Sequence, residues 1–157
     1  LYGIDMGKKS TLEIRDNILL RADVIPVSLA LAQAAVESGW GTSRFAMQGN
    51  ALFGQWAWKE SAGIKPLQAS NDRAVVRSFP NLFGSVRAYM HNLNTHSSYG
   101  DLRRHRALLA DRDDRGKGFA LAGNLDSYAE IGMEYVDKLH TIIRVNDLDK
   151  YATAKLQ

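Results

Sequence analysis

The sequence has no cysteine, which excludes disulfides and thiolate metal sites. It contains no apolar run approaching the roughly 20 residues that a membrane-spanning helix needs. It carries neither a G-x-G-x-x-G nor a P-loop pattern, so nucleotide chemistry has no support. Charge of one sign is scarce as well. Twenty Lys and Arg face seventeen Asp and Glu, a formal net charge of +3. That balance helps approach to an anionic polymer but does not select among nucleic acid, cell-wall polysaccharide and a membrane surface. The four histidines, His91, His96, His105 and His140, give no i, i+4 pair of the kind a helical metal site needs, so no metal and no organic cofactor is expected. The basic run "LRRHRALLADRDDR" is diluted by its own acids and has no base-reading motif beside it. It reads as a solvated helix face, and no nucleic-acid partner is expected.

What is there is 157 residues of ordinary globular composition, 45% hydrophobic and 24% charged, without internal repeats, low-complexity tracts or linkers. One domain over 1–157 is expected, as a monomer. The chain begins at Leu1 rather than Met, as a processed form or a fragment would. "STLEIRDNILLRA" reads as a helix capped by Ser10 or Thr11, with Leu12, Ile14, Ile18, Leu19 and Ala22 as its apolar stripe. "SLALAQAAVES" is a second helix, apolar nearly all round and therefore central, with Ser28 as N-cap and Gly39 as a left-handed terminator. From about 54 to 79 the pattern changes to short alternating runs of aromatic and β-branched residues, which predicts a small β-lobe. "SFPNLFGSVRAYMHNLN", capped by Ser78, then "GDLRRHRALLADR" and "SYAEIGMEYVDKLHTIIR" are further helices, the last with Ile131, Tyr135, Leu139 and Ile142 on one stripe. The fold class expected is α+β, mainly α.

The stretch "AQAAVESGWGTSRFA" poses a chemical question. The apolar helix ends on a carboxylate, Glu37, and a glycine-rich turn carrying Trp40 follows at once. Apolar surroundings penalise the charged form of Glu37. The negative end of the helix dipole repels it. Both favour a carboxyl that keeps its proton near neutrality, which a general acid requires. The competing reading is a glutamate that simply points into solvent at a helix end. Aromatics tilt the choice, because flat sugar faces stack on rings. Trp40, Phe53, Trp56 and Trp58 cluster after the acid. Phe53 fits the core more readily than a binding surface. Trp56 and Trp58 alternate in the expected strand, so one is expected to face inward and the other the site.

At "LAQAAVESGWGTSRFAMQGNALFGQW" the chain resembles the glucosaminidase family of peptidoglycan hydrolases, glycoside hydrolase family 73. The matching motifs are Glu37-Ser38-Gly39-Trp40-Gly41 and the loop Gly49-Asn50-Ala51-Leu52-Phe53-Gly54. "FGSVRAYMHNLNTHSSYGDLR" and "SYAEIGMEYVDKLHTIIR" resemble later family segments in the right order, so the resemblance covers about residues 10–146. It implies a lysozyme-like fold, with a helical lobe and a small β-lobe flanking a cleft. It implies hydrolysis of the β-1,4 bond after N-acetylglucosamine in peptidoglycan strands, in the periplasm or at the cell exterior. Glu37 matches the family's catalytic acid. Tyr128 matches its essential tyrosine, expected at the start of the last helix. Trp40, Asn50, Phe53, Gln55, Trp56 and Trp58 are the substrate-binding candidates. The second group that glycosidases usually need is Glu60 or Asp72, or the substrate's own acetamide oxygen. A lytic transglycosylase and a non-catalytic glycan-binding module are the alternatives.

Overall fold

The computed structural model of the chain describes residues 2–4, 7, 9–67 and 74–154. Among them run α1 (Thr11–Arg21), α2 (Val27–Ser38), α3 (Arg44–Gly49), β1 (Trp56–Ala57), β2 (Gly63–Ile64), β3 (Val75–Arg77), α4 (Leu82–Thr95), α5 (Gly100–Leu108), α6 (Lys117–Ala122) and α7 (Met133–Val145), with 3-10 turns at Glu60–Ala62, Ser97–Tyr99 and Leu148–Tyr151. The class is α+β, mainly α. None of the described helices is long and apolar enough to cross a membrane. The chain divides into two compact units, one of residues 1–32 with 90–157 and one of residues 33–89.

In the first unit, α1 opens with a capping box. The Glu13 amide donates to Ser10 Oγ at 3.3 Å, and the Ser10 amide donates to the Glu13 carboxylate at 2.7 Å. That backbone hydrogen bond, with a second from the Ser10 hydroxyl, holds the Glu13 carboxyl below its ordinary range. The apolar stripe expected to be buried is not: no residue of α1 is buried, and Leu12 and Leu19 are exposed. The helix is held by its C-terminal end instead, through buried Arg106 of α5. Arg106 donates to Leu20 O at 2.9 Å and Val24 O at 3.1 Å, and pairs with Asp23 at 3.1 Å. Arg103 donates to Leu93 O and His96 O, both at 2.9 Å, and so closes the end of α4. The expected solvated face of α5 is therefore split. Arg104 is exposed against Asp101, whereas Arg103 and Arg106 turn inward to satisfy helix-end carbonyls. Burial lowers the pKa of both guanidiniums, with Asp23 pulling that of Arg106 back up.

Two other local expectations shift, and one helix is new. Ser28 is not the N-cap of α2, which already starts at Val27; the Ala30 amide bonds Pro26 O, and Ser28 is buried inside the first turn. The short helix α6 lies in a stretch that carries too few residues for a periodic signal. The final helix begins at Met133 rather than Ser127, because Gly132 adopts φ 56° and residues 125–132 form successive turns. Its buried stripe is consequently Tyr135, Val136, Leu139 and Ile143, while Ile131 lies exposed ahead of it. Helix α6 packs on both α5 and α7.

In the second unit, three short strands form an antiparallel sheet in the order β1-β3-β2. Val76 of the central strand opposes Trp56 on one side and Ile64 on the other. Val75 and Val76 are both buried, so β3 is covered on both faces. Gly63 faces Arg77 across β2–β3, and a Cβ there would sit 2.0 Å from Val76 O; only glycine permits this approach. Helix α3 is capped by Ser43 Oγ, which accepts from the Ala46 amide at 3.2 Å. The cap of α4 is Asn81 rather than the expected Ser78: its Oδ1 accepts from the Gly84 amide at 2.9 Å.

Candidate active site

Glu37 is the penultimate residue of α2, and it is half-buried. The turn after it is closed by local bonds. The Trp40 amide reaches Ala35 O at 2.8 Å and the Gly39 amide reaches Val36 O at 3.4 Å, with Gly39 at φ 57°. This is the Schellman pattern, and it ends the helix one residue past the carboxylate. Ser38 staples the turn a second time: its hydroxyl donates to Ala34 O at 2.6 Å and accepts from the Gly41 amide at 2.7 Å. Three consecutive residues, Gly39, Trp40 and Gly41, are left-handed, with φ 57°, 59° and 79°. A tryptophan at positive φ is strained backbone, and such strain persists only where neighbouring bonds over-determine it. Here the strain turns the Trp40 ring outward, 63% exposed, directly after the acid.

The second motif comes back to the same carboxylate. Asn50 adopts φ 51° at the end of α3 and donates Nδ2 to Phe79 O at 3.0 Å, which fixes the start of the loop. The Leu52 amide donates to buried Ser85 Oγ at 3.1 Å. The loop then brings Gly54 up to Glu37: a Cβ at Gly54, whose φ is 58°, would lie 3.5 Å from Glu37 Oε2. Gly54 thus comes up to the carboxylate without a side chain of its own, on a loop pinned at both Asn50 and Leu52.

The other expected residues divide clearly. Phe53 is buried, its ring stacked on Tyr89 with centroids 3.9 Å apart, so it belongs to the core rather than to a binding surface. Gln55 accepts from the Arg77 amide through its backbone oxygen at 2.7 Å, and its Oε1 is buried without a hydrogen-bond partner among the described residues. Trp56 and Trp58 are 59% and 72% exposed. The expectation that one of them turns inward fails because the strand ends at Ala57, which frees Trp58 from the alternation. Glu60 opens a 3-10 turn; its side chain, and the whole of Asp72, lie outside the described residues. Tyr128 belongs to the other unit, in the turns preceding α7 rather than on that helix. There its ring is stacked on Tyr135, with centroids 5.4 Å apart and planes 7° apart, and tilted against Tyr99 at 6.0 Å.

Two linked residues, one of them on the helix that carries Glu37, escaped the sequence reading. Gln33 lies one turn before Glu37, and Tyr89 donates its hydroxyl to Gln33 Oε1 at 2.7 Å. A lone amide between Ser28 and Glu37 in an otherwise Ala, Leu and Val helix was the available signal.

A family profile described as mannosyl-glycoprotein endo-beta-N-acetylglucosaminidase matches residues 16–148. This chain belongs to the Glucosaminidase family. The glucosaminidase match contains every candidate residue above, from Glu37 to Tyr128, and supports a glycan-related role. Protein bax of Escherichia coli (strain K12) is a relative, 36% identical over 131 residues that make up 83% of this chain and 46% of that protein. The chain therefore spans about half the length of the curated relative that it matches. No solved structure gives a significant match.

Proposed function

We propose that this glucosaminidase-family chain is a glycoside hydrolase acting on peptidoglycan strands, outside the cytoplasmic membrane. It cuts the β-1,4 bond after N-acetylglucosamine, with Glu37 as general acid. The observation that carries this reading is the half-buried Glu37 carboxylate at the end of an apolar, partly buried helix, with a bare glycine before Oε2 and an exposed tryptophan beside it. A proton donor must be held in place while an oxygen of the substrate approaches it closely, and that combination supplies both conditions. Trp40, Trp56 and Trp58 offer exposed rings on which sugar faces can stack.

In the proposed reaction, Glu37 gives its proton to the glycosidic oxygen as the bond from that oxygen to the anomeric carbon breaks. The oxocarbenium-like centre is met by the carbonyl oxygen of the substrate's own 2-acetamido group, positioned by Tyr128, which enters through the family pattern. Water then attacks the anomeric carbon, displaces the acetamide oxygen and returns a proton to Glu37. A water activated by the carboxylate of Glu60 or Asp72 is the other route, and product stereochemistry separates the two. Net retention fits acetamide participation, and net inversion requires a water activated by a second carboxylate.

The test is digestion of purified peptidoglycan by wild type and by Glu37→Gln, with products identified by mass. Fragments ending in reducing N-acetylglucosamine from wild type, slowed roughly 100-fold or more by the substitution, are expected. Anhydro-muramic ends would mean a transglycosylase. Binding without fragments would mean a non-catalytic glycan module.

A further inference from the structure

Gln33 is wholly buried, at 0% exposure, on the same helix as Glu37. A buried amide must satisfy both its carbonyl oxygen and its two N–H groups. Tyr89, also at 0% exposure, takes the oxygen: its hydroxyl donates to Gln33 Oε1 at 2.7 Å. That bond determines which end of the amide points away from Tyr89, and it is the NH2 end. Residues four apart on a helix share a face, so the next side chain along that face is Glu37. The Tyr89 ring lies flat on Phe53, with centroids 3.9 Å apart and planes 9° apart. Phe53 is joined directly to Gly54, the residue that approaches Glu37 Oε2. One amide–aromatic cluster thus ties together the helix that bears the acid and the loop that faces it.

We propose that Gln33, Tyr89 and Phe53 are positioning residues for Glu37. Tyr89 orients the Gln33 amide so that its N–H groups serve the carboxylate one turn on. The Tyr89–Phe53 stack seats Gly54 beside Oε2. None of the three touches substrate. The inference rests on the reading of Glu37 as the acid, and it assigns a purpose to a buried amide and a buried hydroxyl that packing alone would not select. A glutamate side chain has three rotatable bonds. Holding it in one rotamer converts a mobile acid into one already aimed at the leaving oxygen.

The experiment uses Tyr89→Phe, which removes one oxygen and keeps the ring on Phe53. Two readouts are taken: turnover of purified peptidoglycan, and the order of the Glu37 side chain from carbon-13 relaxation in the chain without substrate. Expected are a roughly 10- to 100-fold fall in kcat with KM changed less than about twofold, and a more mobile Glu37. In the Glu37→Gln background, Tyr89→Phe should cost less than about twofold more, because no acid remains to be aimed. A cluster that only supports folding would instead multiply its loss in both backgrounds. Unchanged kcat and unchanged Glu37 order in Tyr89→Phe overturn the inference and leave the proposed function standing. Full turnover by Glu37→Gln overturns the acid reading, while the relaxation measurement still decides whether the cluster holds Glu37. Should Tyr89→Phe fail to fold, Phe53→Leu takes its place in the relaxation measurement, with increased Glu37 mobility expected and none refuting.

Discussion

Arg106 and Arg104 are two residues apart on α5, and replacing each by Met separates a buried structural cation from a surface one. Arg106 is 5% exposed and donates to Leu20 O, Val24 O and Asn94 Oδ1. Methionine keeps the apolar character of the stem and removes every donor, so these three acceptors lose this partner, while Asp23 O, which Arg106 reaches at 3.5 Å, keeps its bond from Asn94 Nδ2. Leaving a buried acceptor unsatisfied costs about 1–3 kcal/mol; the two backbone carbonyls are part-buried and fall near the low end, whereas Asn94 Oδ1 is buried. The ion pair adds little, because the Asp23 side chain is 42% exposed and its charge is screened. A loss of roughly 3–4 kcal/mol results, or a fall in Tm on the order of 10 °C for a chain of this size. Arg104 is 66% exposed on its side chain and pairs with exposed Asp101, so Arg104→Met should change stability by less than about 0.5 kcal/mol. Thermal and denaturant unfolding followed by circular dichroism measure both. A loss below about 1 kcal/mol for Arg106→Met would refute the reasoning, since it would mean that water serves the ends of α1 as well as the guanidinium does.

Gly63→Ala should destabilise the sheet by about 1–3 kcal/mol or more, because the new methyl would lie 2.0 Å from Val76 O and backbone must move to admit it. Faster hydrogen exchange at Val75–Arg77 is the specific readout, and unchanged exchange would contradict the close approach. Trp58→Ala and Trp56→Ala remove exposed rings and should leave the melting temperature nearly unchanged while raising KM for glycan about 3- to 10-fold; a loss of stability in place of affinity would assign the rings to packing. Glu13 has its pKa lowered first by the Ser10 amide, so its contribution is present above the ordinary glutamate range and is lost as pH falls through the lowered value. The stability difference between wild type and Glu13→Gln should therefore be visible at neutral pH and vanish on acidification; a difference that grows with acid would reverse the sign.

The start of α1 at Ser10 or Thr11 and the closure of α2 by Gly39 were legible in the sequence because each bond spans only a few residues; the reciprocal bond from Glu13 came with the structure. The same locality places Glu37 at the end of an apolar helix with Trp40 beside it, so the acid and its turn could be read before any fold was known. The loop from Asn50 to Gly54 could be read as a motif, yet its return to Glu37 could not. That approach depends on Asn50 reaching Phe79 O and Leu52 reaching Ser85, contacts 29 and 33 residues apart in sequence. Tertiary structure alone decided that Arg106 faces inward, since its partner Leu20 O lies 86 residues away. It alone decided that Tyr89, 56 residues from Gln33, closes the amide behind the acid. A single sequence carries the propensities and hydrogen bonds of neighbours. Which buried donor meets which buried acceptor is settled only when the chain packs, because every buried polar group must then find a partner wherever the fold has brought one.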